Sequence, residues 1–398
     1  MQRQKLLFPM VLLGVCLLLV ALGGLVGYRL GSQPGPEGRA WLTPAELEQN
    51  VRMMRDIETL EGAFAVDGTS LAGVEKCYYD AVDFTQITWT GRDMPTPFLG
   101  FAPQPGPIPS GHINGQQFRY RQDVDRSKPA GTCRIFLIGG STAFGSGAST
   151  NETTVAGYLE RCLNEREKQY GRRFEVITAA ATAWASAHER ILVENYLIEF
   201  EPDVVVALSG HNDVFWSLLN YNVNCYRGPQ DAYYLQMINS LLKSNFNDGF
   251  PDDLPNGKVP ISPALTAARL RRNVGLAHAA LQTVGADYCF ALQPVLSCSR
   301  KVRTPREEHM ASRHHPLGVI AHRSEFEVGY GECRTALSGL KLPRYHFWDL
   351  TPMFDGVSGQ DIFIDRCHFG DRGHDLIAQR LHELLGPVLQ ARFKSVGP

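Results

Sequence analysis

The residues with the clearest chemical potential are a serine in a glycine-rich segment and two acid–histidine pairs with identical spacing. Ser141 follows two glycines, which permit a tight turn that presents its hydroxyl. A serine hydroxyl is a poor nucleophile until a base removes its proton, and that base needs an acceptor that orients it. Asp365 and His368 form one such pair, and Asp371 and His374 form the other. These residue types indicate acyl transfer through a covalent serine intermediate.

The two acid–histidine pairs differ in the structure expected around them. Asp371 can cap the N-terminus of the last helix, and His374 precedes apolar residues on one helical face, so this pair has a structural explanation. Asp365 and His368 lie in the preceding loop, from which a side chain can reach the serine. We therefore predict that Asp365 and His368 act with Ser141. The Gly-Gly-Ser-Thr segment alone is equally typical of a phosphate-binding loop or a plain turn.

Five short apolar runs, each followed by a candidate helix, must position these groups. Continuous apolar strands alternating with helices predict a doubly wound α/β domain, because only strands covered on both faces can lack a polar face. The sheet is expected to be mostly parallel and five-stranded. The predicted strands are 135–138, 174–178, 204–208, 288–292 and 345–348, and the predicted helices are 153–169, 186–200, 263–285 and 373–392.

Ligands of such sheets bind beyond the carboxyl ends of the strands. Ser141 follows the first predicted strand, and Asn212 follows the third in a Gly-x-Asn-Asp segment, so the Asn212 amide should lie beside the serine. An Asx-turn that starts the next helix is the alternative explanation of Asn212, and with the serine loop present we favour a functional role. Residues 217–262 are too long for an ordinary crossover loop, and we expect this insertion to cap an active site or contact a partner.

In this order, the segments resemble the SGNH (GDSL-type) hydrolases. The resemblance spans residues 98–390 and includes the accompanying segments Gly100-Phe101, Ile113-Asn114, Phe118-Arg119 and Ala291-Leu292-Gln293-Pro294. It implies a three-layer α/β/α fold in which Ser141 is the nucleophile, His368 the base and Asp365 its partner. It also implies that the oxyanion is held by the backbone N–H groups of Ser141 and Ala183 and by the side-chain amide of Asn212.

Two departures from the family's pattern concern the same loops. Gly140 stands where an Asp usually precedes the serine, with no direct effect expected on nucleophilicity. Ala180 and Ala183 stand where the second block usually has glycines. An alanine still donates its N–H, so the oxyanion site survives where the backbone conformation is allowed for a residue with a Cβ atom. Because losing one oxyanion donor costs roughly 100- to 1,000-fold in turnover, distortion of this loop would leave a feeble enzyme.

The N-terminal segment decides where the domain is expected to work. Residues 6–28 carry no charge and would form a helix of about 34 Å, enough to cross a bilayer core of about 30 Å. We predict an uncleaved anchor, with a cleaved signal peptide as the alternative. Arg3 and Lys5 predict a cytoplasmic N-terminus and an exported, extracytoplasmic or periplasmic remainder. The expected organisation is an anchor at 1–30, a linker and helical or irregular extension at 31–97, and a hydrolase-like domain at 98–398.

Composition narrows the classes of partner. The chain has 39 Lys+Arg, 41 Asp+Glu and a net charge of −2, and it has no long basic run, so nucleic acid is not an expected partner. Eight of the nine cysteines lie outside the predicted span, an even number compatible with disulfides after export, and no pairing is assigned. The histidines at 309, 314, 315 and 322 lack the spacing of a zinc site, and we expect neither a metal nor a cofactor.

These observations predict a membrane-anchored, exported serine esterase. Its expected substrates are O-acyl esters, acetyl esters above all, of envelope or secreted polysaccharide, or small acyl esters; this class rests on the resemblance and the predicted location, because a fold does not fix a substrate. One alternative is an O-acyltransferase that passes the acyl group to a sugar hydroxyl. Another is a non-catalytic glycan-binding or envelope-complex subunit with a vestigial site. The expected partners are the acylated glycan or ester, the membrane and proteins of an envelope complex.

Overall fold

The computed structural model describes residues 93–108, 110–166, 170–218, 261–312 and 323–393. All of them belong to one compact unit of the chain. The predicted anchor at 6–28, the extension at 31–92 and residues 219–260 of the predicted insertion lie outside the described residues, so the proposed domain boundaries stay a prediction. Among the helices that are described, none combines the length and the apolar character that a membrane crossing requires.

Two small antiparallel hairpins begin the described chain. In the first, β1 (Asp93–Thr96) pairs with β2 (Gly100–Pro103), and in the second, β3 (Gly106–Ile108) pairs with β4 (Gly111–Ile113). The chain then runs along one edge of the main sheet, where the N–H of Arg119 donates to the carbonyl of Thr178 at 3.0 Å. Irregular chain therefore covers this edge and carries Arg119 toward the ends of the strands.

The main sheet has five strands, and all of them are parallel. They are β5 (Thr132–Gly139), β6 (Arg173–Ala180), β7 (Val204–Ser209), β8 (Asp287–Leu292) and β9 (Tyr345–Asp349), in the spatial order β6-β5-β7-β8-β9. Every residue of β5, β7 and β8 is buried, as expected for central strands that are covered on both faces. The five predicted strands and their parallel arrangement are confirmed.

Helices cover both faces of this sheet and complete three layers. They are α1 (Ser141–Phe144), α2 (Val155–Asn164), α3 (Ser186–Asn195), α4 (His211–Leu218), α5 (Pro263–Thr283), α6 (Pro305–Ser312), α7 (Arg323–Ser338) and α8 (Asp371–Phe393). Helices α2 and α8 pack on each other, and α5 packs on α3, α4 and α7. The predicted doubly wound α/β architecture is therefore present in the described chain.

The core between the sheet and α2/α8 follows from the alternation of side chains along the strands. Ile135 and Leu137 point to the same face of β5 and lie in one buried cluster with Leu159 of α2 and with Ile377 and Leu381 of α8. Both helices therefore bury an apolar face against the sheet. Because the helices cover the faces, the loops at the carboxyl ends of the strands are left to build the site.

The described helices differ from the sequence expectation in two ways. The predicted helix 153–169 is represented by α2, which ends at Asn164, and 186–200 is divided into α3 and a short 3-10 helix, Leu197–Phe200. Helices α6 and α7, between β8 and β9, were not predicted at all. Both carry readable signals: α7 buries four residues at helical spacing, namely Phe326, Tyr330, Cys333 and Leu337.

Helix α6 is preceded by a reciprocal capping arrangement. The N–H of Glu307 donates to Oγ1 of Thr304 at 3.2 Å, and the N–H of Thr304 donates to Oε2 of Glu307 at 3.1 Å. This Thr-x-x-Glu pattern with Pro305 at the first helical position is a sequence signal for a helix start. Glu307 also accepts the N–H groups of Ile362 and Phe363, so α6 fixes the chain that leads to Asp365.

Six cysteines lie among the described residues, and all six are free thiols: Cys133, Cys162, Cys289, Cys298, Cys333 and Cys367. Cys77 and Cys225 lie outside the described residues. The even cysteine count was compatible with disulfides after export, and these six give that expectation no support.

Candidate active site

Ser141 is placed at the carboxyl end of β5 by a sharp strand-to-helix turn. The preceding Gly139 has a φ of 147°, and a Cβ atom there would collide with the carbonyl oxygen of Leu208 on the neighbouring strand. Only glycine fits this close approach. Ser141 is the first residue of α1 and is partly exposed, so its N–H has no acceptor within the helix and its hydroxyl is accessible.

The structure brings Ser141, His368 and Asp365 into one hydrogen-bonded chain. Nε2 of His368 lies 2.6 Å from Oγ of Ser141, and Nδ1 of His368 lies 2.5 Å from Oδ2 of Asp365. The other carboxylate oxygen, Oδ1, accepts the backbone N–H groups of Cys367 and His368, each at 2.7 Å. Asp365 therefore orients the imidazole and the peptide that carries it, which is the geometry that activates a serine.

The charges of this pair are coupled. Burial alone would raise the pKa of Asp365, but the charge and hydrogen bond of His368 and two backbone N–H groups outweigh it and lower that pKa to about 2. Burial would likewise lower the pKa of His368, and the facing Asp365 carboxylate reverses this and raises it well above its usual 6.5. The imidazole is therefore a stronger base than a free histidine, with the carboxylate ionised beside it.

The second acid–histidine pair is not connected to Ser141. His374 is fully buried within α8, its Nε2 lies 3.3 Å from the carbonyl oxygen of Ser146, and burial lowers its pKa to about 3. Asp371 accepts hydrogen bonds from the N–H of Ser149 at 2.9 Å and from its hydroxyl at 2.5 Å. Both residues therefore have structural roles. Asp371 is the first residue of α8 and holds the loop of Ser149, so the prediction that it caps this helix was wrong.

Asn212 lies in the first turn of α4, next to the serine loop. Its side-chain Nδ2 donates to the carbonyl of Trp184 at 2.7 Å, which leaves the second amide hydrogen for another acceptor. A Cβ atom at Gly140 would lie 2.5 Å from this nitrogen and 3.0 Å from the Trp184 oxygen. The absence of a side chain at Gly140 thus lets three loops meet: that of Ser141, that of Ala183 and that of Asn212.

Ala183 has a φ of 61°, in the left-handed region that favours glycine. Its carbonyl accepts the indole N–H of Trp216 at 3.2 Å, and the next carbonyl, of Trp184, accepts the Asn212 amide. These bonds hold the two peptide planes that follow Ala183, and the left-handed conformation itself costs an alanine roughly 1–2 kcal/mol. The N–H of Ala183 makes no hydrogen bond within the described residues.

A buried polar network behind these loops was missed by the sequence reasoning. Asp213, next to Asn212, accepts the hydroxyl of Ser186 at 2.5 Å and its N–H at 3.0 Å. Asn273 of α5 donates to the same hydroxyl at 2.9 Å. The network ties the start of α3, just after the Ala183 loop, to the start of α4. The Gly-x-Asn-Asp segment contained the signal, since an acidic residue directly after a buried strand needs a partner.

Two further buried ionisable groups were also missed. Glu189 accepts the hydroxyl of Ser209 and, because burial and the nearby Asp213 disfavour its charge, its pKa is raised to about 8. Arg119 is buried and forms no ion pair with a carboxylate of the described residues, and burial lowers its pKa to about 10. Its guanidinium donates to the carbonyls of Phe144 at 3.3 Å and Gly145 at 2.9 Å, so it caps the C-terminal end of the helix that carries the serine.

The only cluster of potential metal ligands among the described residues is formed by Asp365, Cys367 and His368, whose donor atoms lie within 4.8 Å of one another. Both ring nitrogens of His368 already face Asp365 and Ser141. Burial raises the pKa of the Cys367 thiol to about 11, so this group is not the thiolate that metals prefer. The donor set fits a proton relay better than a metal site. The histidines at 314, 315 and 322 lie outside the described residues.

No protein-family model matches the chain, and no curated protein sequence matches it. Similar solved structures include the acetyl xylan esterase AlAXEase, with 15% identity, a TM-score of 0.38, and coverage of 63% of this chain and 99% of that one. Axe2, an acetylxylan esterase from Geobacillus stearothermophilus, shares 14% identity at a TM-score of 0.36, with coverage of 64% of this chain and 94% of that one. A GDSL-like lipase from Bacteroides thetaiotaomicron shares 10% identity at a TM-score of 0.33, with coverage of 64% of this chain and 88% of that one. At these identities and TM-scores no activity is transferred to this chain, whose chemistry follows from its own side chains.

Proposed function

We propose that the chain is a serine ester hydrolase of the SGNH type that forms an acyl intermediate on Ser141. The observation that carries the proposal is the continuous contact from Ser141 Oγ to His368 Nε2 at 2.6 Å and from His368 Nδ1 to Asp365 Oδ2 at 2.5 Å. Gly140, the residue before the serine, leaves room for the Asn212 amide, which is a hydrogen-bond donor next to the serine loop. A base, its orienting acid and a donor group around one hydroxyl are the requirements of acyl transfer.

In the first half of the reaction, His368 Nε2 accepts the proton of the Ser141 hydroxyl while Oγ attacks the ester carbonyl carbon. The carbonyl oxygen becomes an oxyanion, stabilised by the N–H groups of Ser141 and Ala183 and by the free hydrogen of the Asn212 amide. His368 then donates its proton to the leaving alkoxide, the bond to that oxygen breaks, and the alcohol departs. The acyl group remains bound to Oγ.

In the second half, His368 accepts a proton from water, whose oxygen attacks the acyl carbon. The tetrahedral intermediate collapses, the proton returns to Oγ, and the carboxylic acid leaves. Throughout, the Asp365 carboxylate accepts the hydrogen bond from the Nδ1–H of His368, which keeps the lone pair of Nε2 directed at Ser141. This tautomer is inferred from the hydrogen-bond network. The ionised carboxylate also stabilises the imidazolium that forms in each half-reaction.

The substrate class proposed is an O-acyl ester, acetyl esters above all, on envelope or secreted polysaccharide, or a small acyl ester. The support is the ordered set of SGNH-like motifs together with the predicted anchor at 6–28, which would place the domain outside the cytoplasm beside such polymers. The anchor lies outside the described residues, so location and polymer remain proposals. Transfer of the acyl group to a sugar hydroxyl needs the same intermediate with a different acceptor in the second half.

The test is hydrolysis of a short-chain chromogenic ester by the full-length protein and by Ser141→Ala. We expect Ser141→Ala to lose at least about 1,000-fold in kcat, because the nucleophile is removed. Ser146→Ala is a matched control, since the Ser146 hydroxyl is buried five residues downstream and has no hydrogen-bond partner in the described chain. Equal rates for the original protein and Ser141→Ala would end the proposal. Mass gain on an added acceptor glycan would reassign the second half-reaction to transfer.

A further inference from the structure

Gln293 lies where the loop of the serine meets the loop of the histidine. It follows β8 directly and is buried. Its side-chain Nε2 lies 2.8 Å from Oγ1 of Thr142 and 3.4 Å from the carbonyl oxygen of Cys367. The two contacts fall on the residue after the serine and on the residue before the histidine. A single amide thus touches both loops at positions adjacent to the groups that react.

The three groups close a triangle of hydrogen bonds. The hydroxyl of Thr142 accepts from Gln293 and itself donates to the carbonyl of Cys367 at 3.3 Å. A primary amide has two N–H donors, which matches the two acceptors that Gln293 faces. Because Gln293 and Thr142 are buried, loss of the amide would leave the Thr142 hydroxyl oxygen without a donor away from water, and such groups are costly.

The triangle holds one particular peptide. The carbonyl of Cys367 and the N–H of His368 belong to the same peptide plane. Its N–H donates to Oδ1 of Asp365 at 2.7 Å, while its carbonyl faces Thr142 and Gln293 on the other side. A rigid plane held at both ends fixes the Cα atom of His368 and therefore the position of its imidazole.

The backbone of Gln293 is itself anchored in the sheet. Its N–H donates to the carbonyl of Ser209 at 3.0 Å, at the end of β7. The residue before it, Leu292, accepts the N–H of Leu350 at 3.1 Å, which continues the ladder toward β9. The amide is therefore supported by central strands, and central strands are more precise supports than loops.

We propose that Gln293 is a positioning residue that sets the distance between Ser141 and His368. It acts through Thr142 on the nucleophile and through the Cys367–His368 peptide on the base, and it touches no reacting atom. This inference rests on the proposed function, because it requires Ser141 and His368 to react together. Small displacements of reacting groups cost disproportionately in rate, so a modest loosening of the triangle should be visible in catalysis before it is visible in folding.

The test uses the full-length protein and Gln293→Met, which keeps the length of the side chain and removes both donors. The first readout is the rate at which an alkyl fluorophosphonate modifies Ser141: Oγ forms a bond to phosphorus, fluoride leaves, and His368 takes the hydroxyl proton. We expect about a tenfold slower reaction, with a similar fall in kcat, little change in KM, and an acid limb of the pH–rate profile that does not move because Asp365 still faces the imidazole.

Two companion variants separate positioning from general loss of stability. Gln282→Met removes another glutamine N–H bond, from Nε2 to the carbonyl of Ala286 at 3.1 Å, at the far end of α5, and should leave the labelling rate unchanged. Thr142→Val removes the triangle from the other side and replaces Gln293→Met where that variant does not fold. The Thr142→Val/Gln293→Met double variant should depart from the product of the two single losses, because the groups share bonds.

Each outcome has a distinct meaning. A labelled original protein with slowed single variants and coupled losses supports the inference. A labelled original protein together with unchanged labelling of Gln293→Met, or of Thr142→Val, overturns the inference and leaves the proposed function standing. An original protein that the fluorophosphonate does not modify at Ser141 overturns the proposed function, and the positioning role with it.

Discussion

Replacing Gly140 by alanine tests the placement of the Asn212 amide without touching any proposed reacting group. A Cβ atom at this position would lie 2.5 Å from Nδ2 of Asn212, whereas ordinary contact begins at 3.4 Å. The amide must therefore retreat by about 0.9 Å, the difference between these distances. The second neighbour, the carbonyl oxygen of Trp184 at 3.0 Å, is backbone and yields less easily.

The expected loss follows from this displacement. Moving a group by about 1 Å costs on the order of 100-fold, and losing an oxyanion donor costs roughly 100- to 1,000-fold in kcat, or about 2.7–4 kcal/mol. We therefore expect Gly140→Ala to lower kcat by about 100-fold. The contact between Ser141 and His368 does not pass through Asn212, so the pH at which His368 titrates should stay the same.

The assay is kcat and KM on a short-chain ester, with Asn212→Ala and the Gly140→Ala/Asn212→Ala double variant measured alongside. If the methyl acts by displacing the amide, the double variant loses no more than Asn212→Ala alone. Gly275→Ala is the matched control, because a Cβ there meets nothing within 4 Å in the interior of α5. It should keep full activity and gain about 0.5–1 kcal/mol in stability. A Gly140→Ala protein with full kcat would refute the assigned place of Asn212.

Three further predictions concern ionisation and strain. Asp365 raises the pKa of His368 well above 6.5, and only the neutral imidazole accepts a proton, so kcat/KM should fall as pH drops below that raised pKa. Asp365→Asn should move this acid limb of the pH–rate profile to lower pH and reduce kcat. Ala183→Gly should raise the free energy of unfolding by about 0.5–1 kcal/mol in urea titrations, because relief of the left-handed strain exceeds the added freedom of the unfolded chain. The pKa of Glu189 rises from 4.5 to about 8 on folding, so the folded state holds the proton more tightly and the free energy of unfolding falls as pH rises between these values. In urea titrations across this range, Glu189→Gln should lose that pH dependence. A pH slope of the variant equal to that of the original protein would contradict the prediction.

The sheet was predictable because central parallel strands leave a simple pattern. Continuous apolar runs marked all five strands. Ser141 and Asn212 come shortly after two of them, which predicted that both lie at the carboxyl ends of the strands. The choice of Asp365 and His368 over the second pair followed from a local difference, since one pair precedes a helix and the other begins it. Such local patterns are what a single sequence contains.

The parts that could not be predicted depend on contacts between distant segments. Nothing in the order of residues indicates that Gln293 faces Thr142, or that Asn273 completes the bond network of Asp213, because each partner comes from a different strand or helix. The conformation of Ala183 also required the structure, because its φ of 61° occurs in a loop whose carbonyls accept bonds from the distant residues Asn212 and Trp216. Helices α6 and α7 are different, because their signals were readable and were overlooked.

Intact mass and peptide mapping of the full-length protein after treatment with an alkyl fluorophosphonate test the central claim most directly. The proposed mechanism predicts a single phosphonyl adduct on Ser141, absent from Ser141→Ala and formed at least about 100-fold more slowly in His368→Ala, because the base that takes the hydroxyl proton is gone. Unmodified Ser141, or a rate that does not depend on His368, would contradict it.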